Sequence, residues 1–363
     1  MTQLVINKCG PLTSIQDRGR QGWLRFGLSA AGAADPIALF AANLLVGNSP
    51  DTACIELVMT GGAFEAVGGS ARLAVAGARM PMTLDGERIA GHTSFVLQPG
   101  SILHVGAAQT GVYAVLAVEG GLDIAPELGS RSLHARAGIG GLGGTYLTAG
   151  SILPLVKPSA SLRDEAQVPP LPLAPVAPLR AVLGPQQHKI TRAALETFFT
   201  SQYTVTAEVD RMGCRLAGPR IDHTDGFNIV SDGIVGGSIQ IPGSGQPIVM
   251  LVDRQTTGGY PKIATVITPD VRLLMHRRPG EAVTFQTVTV ERSREIAQWA
   301  AKQMAELRHS MRPVTALVPA DAAISGNLAE LNLAGDALSA LDPLTWPRQI
   351  TLPPELRAAA TPQ

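Results

Sequence analysis

The chain has 363 residues, 45% hydrophobic and 16% charged, so it is globular rather than disordered and long enough for two domains. Lysine plus arginine and aspartate plus glutamate each number 29, and this balance does not favour a nucleic acid or an anionic membrane surface as partner. The three cysteines are scattered and odd in number, which argues against a disulfide framework.

Nothing in the apolar pattern indicates export or membrane insertion. The first residues lack a basic region followed by an apolar core, and no apolar run approaches the length of about 18 residues that a membrane span needs. Together with the absence of a disulfide pattern, this predicts a soluble protein of the cytoplasm.

Short β-type runs dominate the first half of the chain. The exception is a helix that has Asp35 as its N-cap, Pro36 at its first position and Gly47 at its end. Because no helices of about 10 to 15 residues separate the other runs, their spacing favours a barrel or a sandwich over βαβ units. The predicted strands cover residues 4–6, 54–59, 72–76, 94–97, 102–105 and 112–118.

Two glycine-bearing loops of the first half are candidate sites by composition. Residues 10–22 bring Gln16, Asp17, Arg18 and Arg20 close together, either as a functional loop or as a solvated turn that an Asp–Arg pair holds. Residues 138–143 match the spacing GxGxxG, but no strand leads into them and strand-like sequence follows. A dinucleotide-binding fold is therefore not expected there.

A change in composition divides the chain. Residues 154–178 are rich in proline, which cannot pair inside a sheet, so this segment is predicted to be an extended linker. The later segments are predicted to form a helix at 191–200, strands at 203–209, 247–252 and 283–290, and a helix at 293–311 with one apolar face. The predicted domains are an N-terminal domain at 1–153, the linker at 154–178, a C-terminal domain at 179–291, and a helix followed by an Ala/Leu/Pro-rich tail at 292–363.

The densest group of polar side chains surrounds one apolar strand within residues 233–263. The segment GIVGGSIQIPGSGQ precedes this strand and DRQTTGGYPK follows it. Glycines let backbone N–H groups approach a ligand closely. Gln240, Gln246 and Gln255 each present a donor and an acceptor on one planar group, which complements a planar amide. The alternative interpretation is a pair of glycine-rich turns that cap a strand of a β-rich core.

Motifs of several enzyme classes are missing from the sequence. There is no HxxxH or CxxC pair for a metal, no GxSxG elbow and no phosphate-binding GxxxxGK[ST] loop. His92 and His104 fall in strand-like segments and are interpreted as structural histidines. We therefore predict no metal site, and a chemistry of binding and electrostatic stabilisation by Asp, Arg, Lys, Gln and backbone donors.

Ten ordered blocks of sequence resemble the biotin-dependent carboxyltransferase-like family, which is also called allophanate hydrolase subunit 2-like. The most specific blocks read GPLTSIQDRGR from Gly10, GSIQIP from Gly237 and DRQTTGGYPK from Asp253. The resemblance extends from about residue 3 to residue 291. The blocks are residues 10–20, 33–35, 42–48, 118–123, 128–131, 184–186, 210–213 with 215–216, 237–242, 245–248 and 253–262.

This resemblance implies a mainly β protein with two cyclophilin-like β-barrel domains, a few short helices and a helical C-terminal extension. It also implies a non-autonomous subunit of an ATP-dependent amide-processing enzyme. Within the family, the C subunit of 5-oxoprolinase fits best, acting with a B-type subunit to phosphorylate 5-oxoproline before the ring opens. The implied class is an ATP-dependent amidohydrolase whose activity requires its partner subunits.

The resemblance also implies the partners. These are a B-type subunit, similar to allophanate hydrolase subunit 1, and a small amide substrate, with a ring-opening A-type subunit or a biotin carrier as further candidates. ATP would bind together with the partner subunit. No Met-Lys-Met segment is present, so no biotin is expected to be attached to this chain. The alternatives are a carboxyltransferase module acting on urea or a related amide, and a non-catalytic protein that binds a ligand or regulates a kinase.

The candidate site residues come from the matching blocks. Asp253, Lys262 and Arg211 are predicted to be catalytic, through contacts with the substrate and with a phosphoryl or carboxyl group. Gln240 and Gln246 are predicted to orient the amide. The other predicted substrate-binding residues are Gln255, Thr256, Thr257, Gly258, Gly259, Tyr260, Asp17 and Arg18.

Overall fold

Residues 1–173 and 178–314 are described by the computed structural model, in which strands predominate over helices. Contacts divide the chain into Met1–Pro313, which contains all the strands and helices of the described residues, and Val314–Gln363. The predicted tail at 292–363 lies mostly outside the described residues.

Two sheets face each other in the first half of the chain. The strands are β1 (Gln3–Cys9), β2 (Ser14–Gln16), β3 (Cys54–Val58), β4 (Gly62–Val67), β5 (Ala71–Arg79), β6 (Met82–Leu84), β7 (Glu87–Ile89), β8 (Ser94–Leu97), β9 (Ile102–Val105), β10 (Thr110–Val118) and β11 (Ile152–Pro154). The sheet orders are β11-β1-β4-β9-β6-β7 and β2-β3-β10-β5-β8, and all pairs within them are antiparallel.

The first-half core lies between these two sheets. Phe64 on β4 and Leu103 on β9 contribute from one sheet, and Ile55, Leu73 and Leu116 contribute from the other. On the opposite face of the second sheet, helix α1 (Pro36–Leu45) packs its alanine and leucine side chains against β5 and β10. Both faces of this second sheet are thus buried, which explains why its strands are apolar throughout and do not alternate between apolar and polar residues.

The second half forms one eight-stranded sheet that is nearly closed into a barrel. Its strands are β13 (Leu179–Leu183), β14 (Tyr203–Val209), β15 (Gly213–Ala217), β17 (Ser238–Gln240), β18 (Ile248–Met250), β20 (Lys262–Val266), β21 (Ala282–Val283) and β22 (Phe285–Thr287). The order is β21-β14-β15-β18-β17-β20-β13-β22, and only Thr284 separates the two edge strands in sequence. Within its core, Phe198 stacks on Phe285 with ring centroids 4.7 Å apart, and Tyr203 lies against Phe198 at 5.6 Å.

Two small antiparallel ribbons, three further α-helices and three short 3-10 helices (Leu24–Phe26, Ala135–Ala137 and Gln187–Lys189) complete the described elements. One ribbon pairs β12 (Ala166–Gln167) with β23 (Arg312–Pro313), and the other pairs β16 (Asp232–Gly233) with β19 (Thr257–Gly258). The helices are α2 (Arg192–Thr200), α3 (Thr268–Met275) and α4 (Val290–Ser310).

The mainly β, barrel-like fold confirms the predicted fold class, and most predicted elements lie within a few residues of the observed ones. The strand predicted at 283–290 is wrong in its second part, because Thr289 caps α4 and the chain is helical from Val290. Helix α3 was not predicted. In α4 the predicted apolar face is only partly covered, with Ile296 buried but Trp299 39% exposed.

The described part of residues 154–178 packs on the first half instead of spanning free solvent. Val168 and Leu171 are buried against the α1 side of the core. Arg72 on β5 pairs with Glu165, and Glu119 accepts hydrogen bonds from Ser161. Residues 174–177 lie outside the described residues, so the predicted domain boundary at 178 stays a prediction.

Asp35 connects the two halves as well as capping α1. Its Oδ1 accepts hydrogen bonds from the backbone N–H groups of Ile37 and Ala38 at 3.0 Å. The carboxylate also accepts from Nε of Arg272 at 2.6 Å and pairs with Nε2 of His276 at 2.8 Å. Burial opposes its charge, but Arg272 and His276 outweigh burial and lower the pKa of Asp35.

Among the described residues, no helix combines the length and apolar character that a membrane crossing requires.

The burial of His92 predicts that the protein loses folding stability in acid. The buried ring accepts weak hydrogen bonds at Nε2 from the N–H groups of Gly77 and Leu171, and burial lowers its pKa from 6.5 to about 4. Below pH 6.5 the unfolded chain binds a proton that the folded chain does not, so folding stability falls as the pH drops towards 4. This histidine should contribute a loss of up to about 3 kcal/mol, measured by urea unfolding at several pH values.

The substitution His92→Asn should make the free energy of unfolding less dependent on pH over this interval, and asparagine tolerates the positive φ of this position. The matched control is His104→Asn, because His104 is exposed on β9. Equal slopes in the wild type and in His92→Asn would contradict the structural role of this ring.

Candidate functional site

Lys262 and Gln240 form a buried polar pair inside the second barrel. They are opposite each other on the antiparallel strands β20 and β17, so their side chains share one face of the sheet. Nζ of Lys262 donates to Oδ2 of Asp232 at 2.5 Å and to the carbonyl of Gly233 at 3.0 Å. Nε2 of Gln240 is buried and has no hydrogen-bond partner within the described part of the chain. The pair therefore offers one cation and one uncommitted amide donor.

The ribbon of β16 and β19, which we call the covering ribbon, lies directly over this pair. Asp232 on β16 is paired with Gly258 on β19. A Cβ atom on Gly258 would lie 2.6 Å from Nε2 of Gln240 and from Cδ1 of Ile234, so a larger residue here would have to displace both side chains. One strand of the ribbon thus contacts Lys262 and the other contacts Gln240.

Asp232 is far more exposed than the lysine that it contacts. Its side chain is 52% exposed, compared with 4% for Lys262. Nε2 of Gln186 donates to the same oxygen at 3.1 Å, and the hydrogen bond from Lys262 is the main cause that lowers the pKa of Asp232. The carboxylate is therefore ionised and stands between the buried ammonium and solvent.

A cavity of about 510 Å³ reaches Gln240 from the side. It lies where the two halves meet, because Arg136 comes from the first half and the other lining residues come from the second. Of the predicted substrate-binding residues, Gln240, Gln255 and Tyr260 line this cavity. The further polar lining residues are Glu208, Asp210 and Arg215.

Arg211 and Asp253, two of the predicted catalytic residues, lie buried at the junction of the halves. Arg211 donates to both carboxylate oxygens of Asp253, at 2.8 and 3.0 Å, and to Glu56 on β3 at 2.5 Å. It also donates to the carbonyl of Gly32 at 2.7 Å. Burial opposes the charge of Arg211, but Glu56 and Asp253 outweigh burial and raise its pKa. All three of its nitrogens have partners, so in this state the guanidinium joins the two halves.

Other predicted site residues are held by the protein itself. The side-chain amide of Gln246 exchanges two hydrogen bonds with the backbone of Gly218, at 3.0 and 3.1 Å. The Asp17 carboxylate accepts hydrogen bonds from the backbone and hydroxyl donors of residues 19 and 130–132, and Arg18 forms an exposed pair with Asp51.

These residues do not line the cavity. Thr256, Thr257 and Gly259 take part in the covering ribbon or its flanks through their backbones. For all of the predicted site residues, a direct role in catalysis or substrate binding stays a prediction.

Three residues of this region were missed by sequence reasoning. Glu56 is a lone carboxylate within the apolar strand Cys54–Val58, and an ionisable residue in such a run is a usable signal for a buried ion pair. Asp232 directly precedes the polar region at 233–263, and Gln186 lies in one of the matching blocks. Among the described residues, no group of three or more His, Cys, Asp or Glu side chains is placed to hold a metal ion.

The Arg211 contacts predict a large loss of stability when the guanidinium is removed. Arg211→Met should lower the free energy of unfolding by about 3 to 5 kcal/mol, because Glu56 and Asp253 would remain buried without a cation. Urea unfolding monitored by circular dichroism measures this. The matched control is Arg215→Met, which breaks an exposed pair with Glu208 and should cost less than about 1 kcal/mol. Wild-type stability in Arg211→Met would show that the guanidinium is not a structural group.

Comparison with known proteins identifies the family of this chain. The family described as "Carboxyltransferase domain, subdomain A and B" matches residues 26–287, which is more than half of the chain. Two bacterial relatives are each named as the C subunit of 5-oxoprolinase. The protein from Haemophilus influenzae is 35% identical over 283 residues, covering 78% of this chain and 90% of the relative. The protein from Escherichia coli is 34% identical over 297 residues, covering 81% and 94%.

A solved structure of the K. lactis urea amidolyase shares the fold. It superposes with a TM-score of 0.76 at 25% sequence identity and covers 84% of this chain. The present chain spans only 20% of that much longer protein.

From the family match over residues 26–287 and the coverage of both bacterial relatives, the chain belongs to the carboxyltransferase domain family with subdomains A and B.

Proposed function

We propose that this chain is the C-type subunit of an ATP-dependent 5-oxoprolinase and that its activity requires partner subunits. The observation that carries the proposal is the similarity to two proteins named as the C subunit of 5-oxoprolinase, of which the match covers 90% and 94%. Because these relatives are named as subunits, they support a multi-subunit enzyme. The identity of the partner as a B-type subunit, the use of ATP and a cytoplasmic location are parts of the proposal.

The Lys262–Gln240 pair suits an amide that also bears a negative charge. 5-Oxoproline is a cyclic amide with a carboxylate, so it offers an amide oxygen for the uncommitted Nε2 of Gln240 and an anion for Lys262. The ammonium is buried, and electrostatic interactions are stronger there than in water. A charge that grows on the amide oxygen or on a transferred phosphoryl group would be stabilised by these fixed donors.

The cavity beside Gln240 offers one cation without an ion-pair partner for a phosphorylated group, although Glu208 and Asp210 also line it. Arg136 lines it and forms no ion pair with any described residue, whereas Arg215 is paired with Glu208 at 2.8 Å. We assign Arg136 and Lys262 as the cations that would meet phosphoryl oxygens, because charge-assisted donors bind them best. ATP would supply the phosphoryl group, with its binding shared between this chain and the partner.

A second candidate is a carboxyltransferase module for urea, and the fold shared with the K. lactis urea amidolyase favours it. Urea is neutral and would use the glutamine but not the lysine as its main contact. A third candidate, a protein that binds a ligand without turnover, predicts saturable binding and no consumption of ATP.

The test is ADP release by this chain mixed with its B-type partner and the ring-opening subunit. Release should depend on 5-oxoproline, require every component and be absent with urea. Lys262→Met should lower the turnover by about 100-fold or more, because it removes a buried donor of the proposed transition state. Its melting temperature should change little, since methionine fills the same space and water can solvate the half-exposed Asp232.

The matched control is Lys189→Met, which breaks a surface pair with Asp225 and should leave turnover unchanged. If 5-oxoproline fails to stimulate ADP release in an assembled complex, the proposal is wrong. A normal rate in Lys262→Met would remove Lys262 from the mechanism.

A further inference from the structure

The two partners of the ion pair between Lys262 and Asp232 differ strongly in burial, unlike those of the Arg211 ion pairs. The ammonium is buried, and Asp232 is the one carboxylate among the described residues that pairs with it. That carboxylate is more than half exposed and lies on a strand of two residues. In contrast, the carboxylates that hold Arg211 are both buried. Of these ion pairs, only the one at Lys262 can therefore replace its carboxylate by another anion while the core stays packed.

The covering ribbon that carries Asp232 is weakly fixed. Beyond its two residue pairs, it is flanked by the backbone hydrogen bonds from Ile229 to Gly259 and from Ile234 to Thr256, each 2.9 Å long. An isolated two-stranded ribbon of this length is marginally stable in water. The segment leading into it also leaves Val230 92% exposed. Opening the ribbon would uncover Lys262 and Gln240, together with Ile234 at its base, which is 3% exposed.

We propose that Asp232 is an internal substitute for an oxyanion of the substrate, which occupies Lys262 until a carboxylate or phosphoryl group displaces it. The inference rests on the proposed function in so far as it places the substrate at the Lys262–Gln240 pair. The incoming oxyanion takes over the ammonium, and the released Asp232 carboxylate is solvated by water. Because Gly258 is paired with Asp232, the same movement uncovers the amide donor of Gln240.

This exchange determines which amides the site accepts. A neutral amide such as urea cannot replace a carboxylate on a buried ammonium, since the charge of Lys262 would be left without a partner. An amide that carries its own carboxylate, or one that reacts with a phosphoryl donor, meets this requirement. Asp232 is therefore a specificity-determining residue that selects anionic substrates.

Asp232→Asn tests this without any partner subunit. The variant keeps a group of the same shape but no longer neutralises Lys262, so it should lose about 3 °C or more in melting temperature in a chloride buffer. Sodium acetate or sodium phosphate, added at constant ionic strength with chloride as the balancing anion, should restore most of this loss. The wild-type protein should respond much less to either anion, because the anion must first displace Asp232 from the ammonium.

The matched control is Asp225→Asn, which breaks an exposed pair with Lys189 in the same surface segment and should show no response to the anions. If acetate restores the melting temperature of Asp232→Asn more than phosphate does, Lys262 binds the substrate carboxylate. If phosphate restores it more, Lys262 binds the phosphoryl group. If Asp232→Asn is destabilised and neither anion restores it, Asp232 is a structural partner and the inference is wrong.

This outcome can be separated from that of the proposed function. Recovery of Asp232→Asn with acetate or phosphate supports an oxyanion site at Lys262 even if 5-oxoproline never stimulates ADP release. In the assembled enzyme, Asp232→Asn should also lower the KM for 5-oxoproline several-fold, because the internal competitor is gone. An unchanged or raised KM there would overturn its role as a competitor.

Discussion

The buried guanidinium of Arg211 is the contact on which the arrangement of the two halves depends. It belongs to the second half of the chain and is bound by Glu56 and Gly32 of the first half as well as by Asp253. Arg272 makes a parallel contact with Asp35, at the start of helix α1. Removing Arg211 leaves Glu56 and Asp253 buried without a cation, and removing Arg272 leaves Asp35 with His276 alone, so the two halves cannot shift without a large cost in free energy. The same contacts hold in place the cavity that brings Arg136 and Gln240 together from opposite halves.

Arg211 and Lys262 are both buried cations, but their carboxylate partners differ in exposure. We infer from this difference that Arg211 is a structural group and that Lys262 can bind a ligand. Arg211 is bound by two buried carboxylates, and its role in this state is to hold the fold. Lys262 is equally buried, but its carboxylate partner is half exposed on a short ribbon. A cation of the second kind keeps its charge and its position while it can exchange the anion that neutralises it. The Nε2 atom of Gln240 is buried without a partner among the described residues. Together with Lys262, it completes a recognition site for an amide that carries a negative charge.

The sequence was sufficient for most of the secondary structure and for the family, because both depend on local patterns. Asp35 and Pro36 define the start of α1 through capping and a fixed φ, which are properties of adjacent residues. The strand predicted to continue to residue 290 was wrong because Thr289 caps helix α4, and the apolar Val288 and Val290 extended the strand pattern past this cap. The missed helix α3 begins directly after β20, and its proline and Asp270 are ordinary start signals that the preceding strand obscured.

The site could be predicted only in outline. The sequence placed Lys262, Gln240, Gln255 and Tyr260 in one region, since they flank a single strand. It could not show that Arg211 meets Glu56, which is 155 positions away, or that the amide of Gln246 is used by Gly218. Such pairings depend on how the two barrels are joined, and no local pattern encodes that. Asp232 was overlooked because its role follows from the burial of its partner Lys262, which the sequence does not show.

The most direct test of the central claim is hydrogen–deuterium exchange of the assembled enzyme with and without 5-oxoproline. If the substrate binds at Lys262 and Gln240 beneath the covering ribbon, backbone exchange should change in peptides that cover residues 229–234 and 255–260. Peptides around Arg211 and Asp253 should be unaffected, because those contacts hold the fold in both states. Unchanged exchange in the ribbon, with altered exchange confined to other segments, would contradict this assignment of the site.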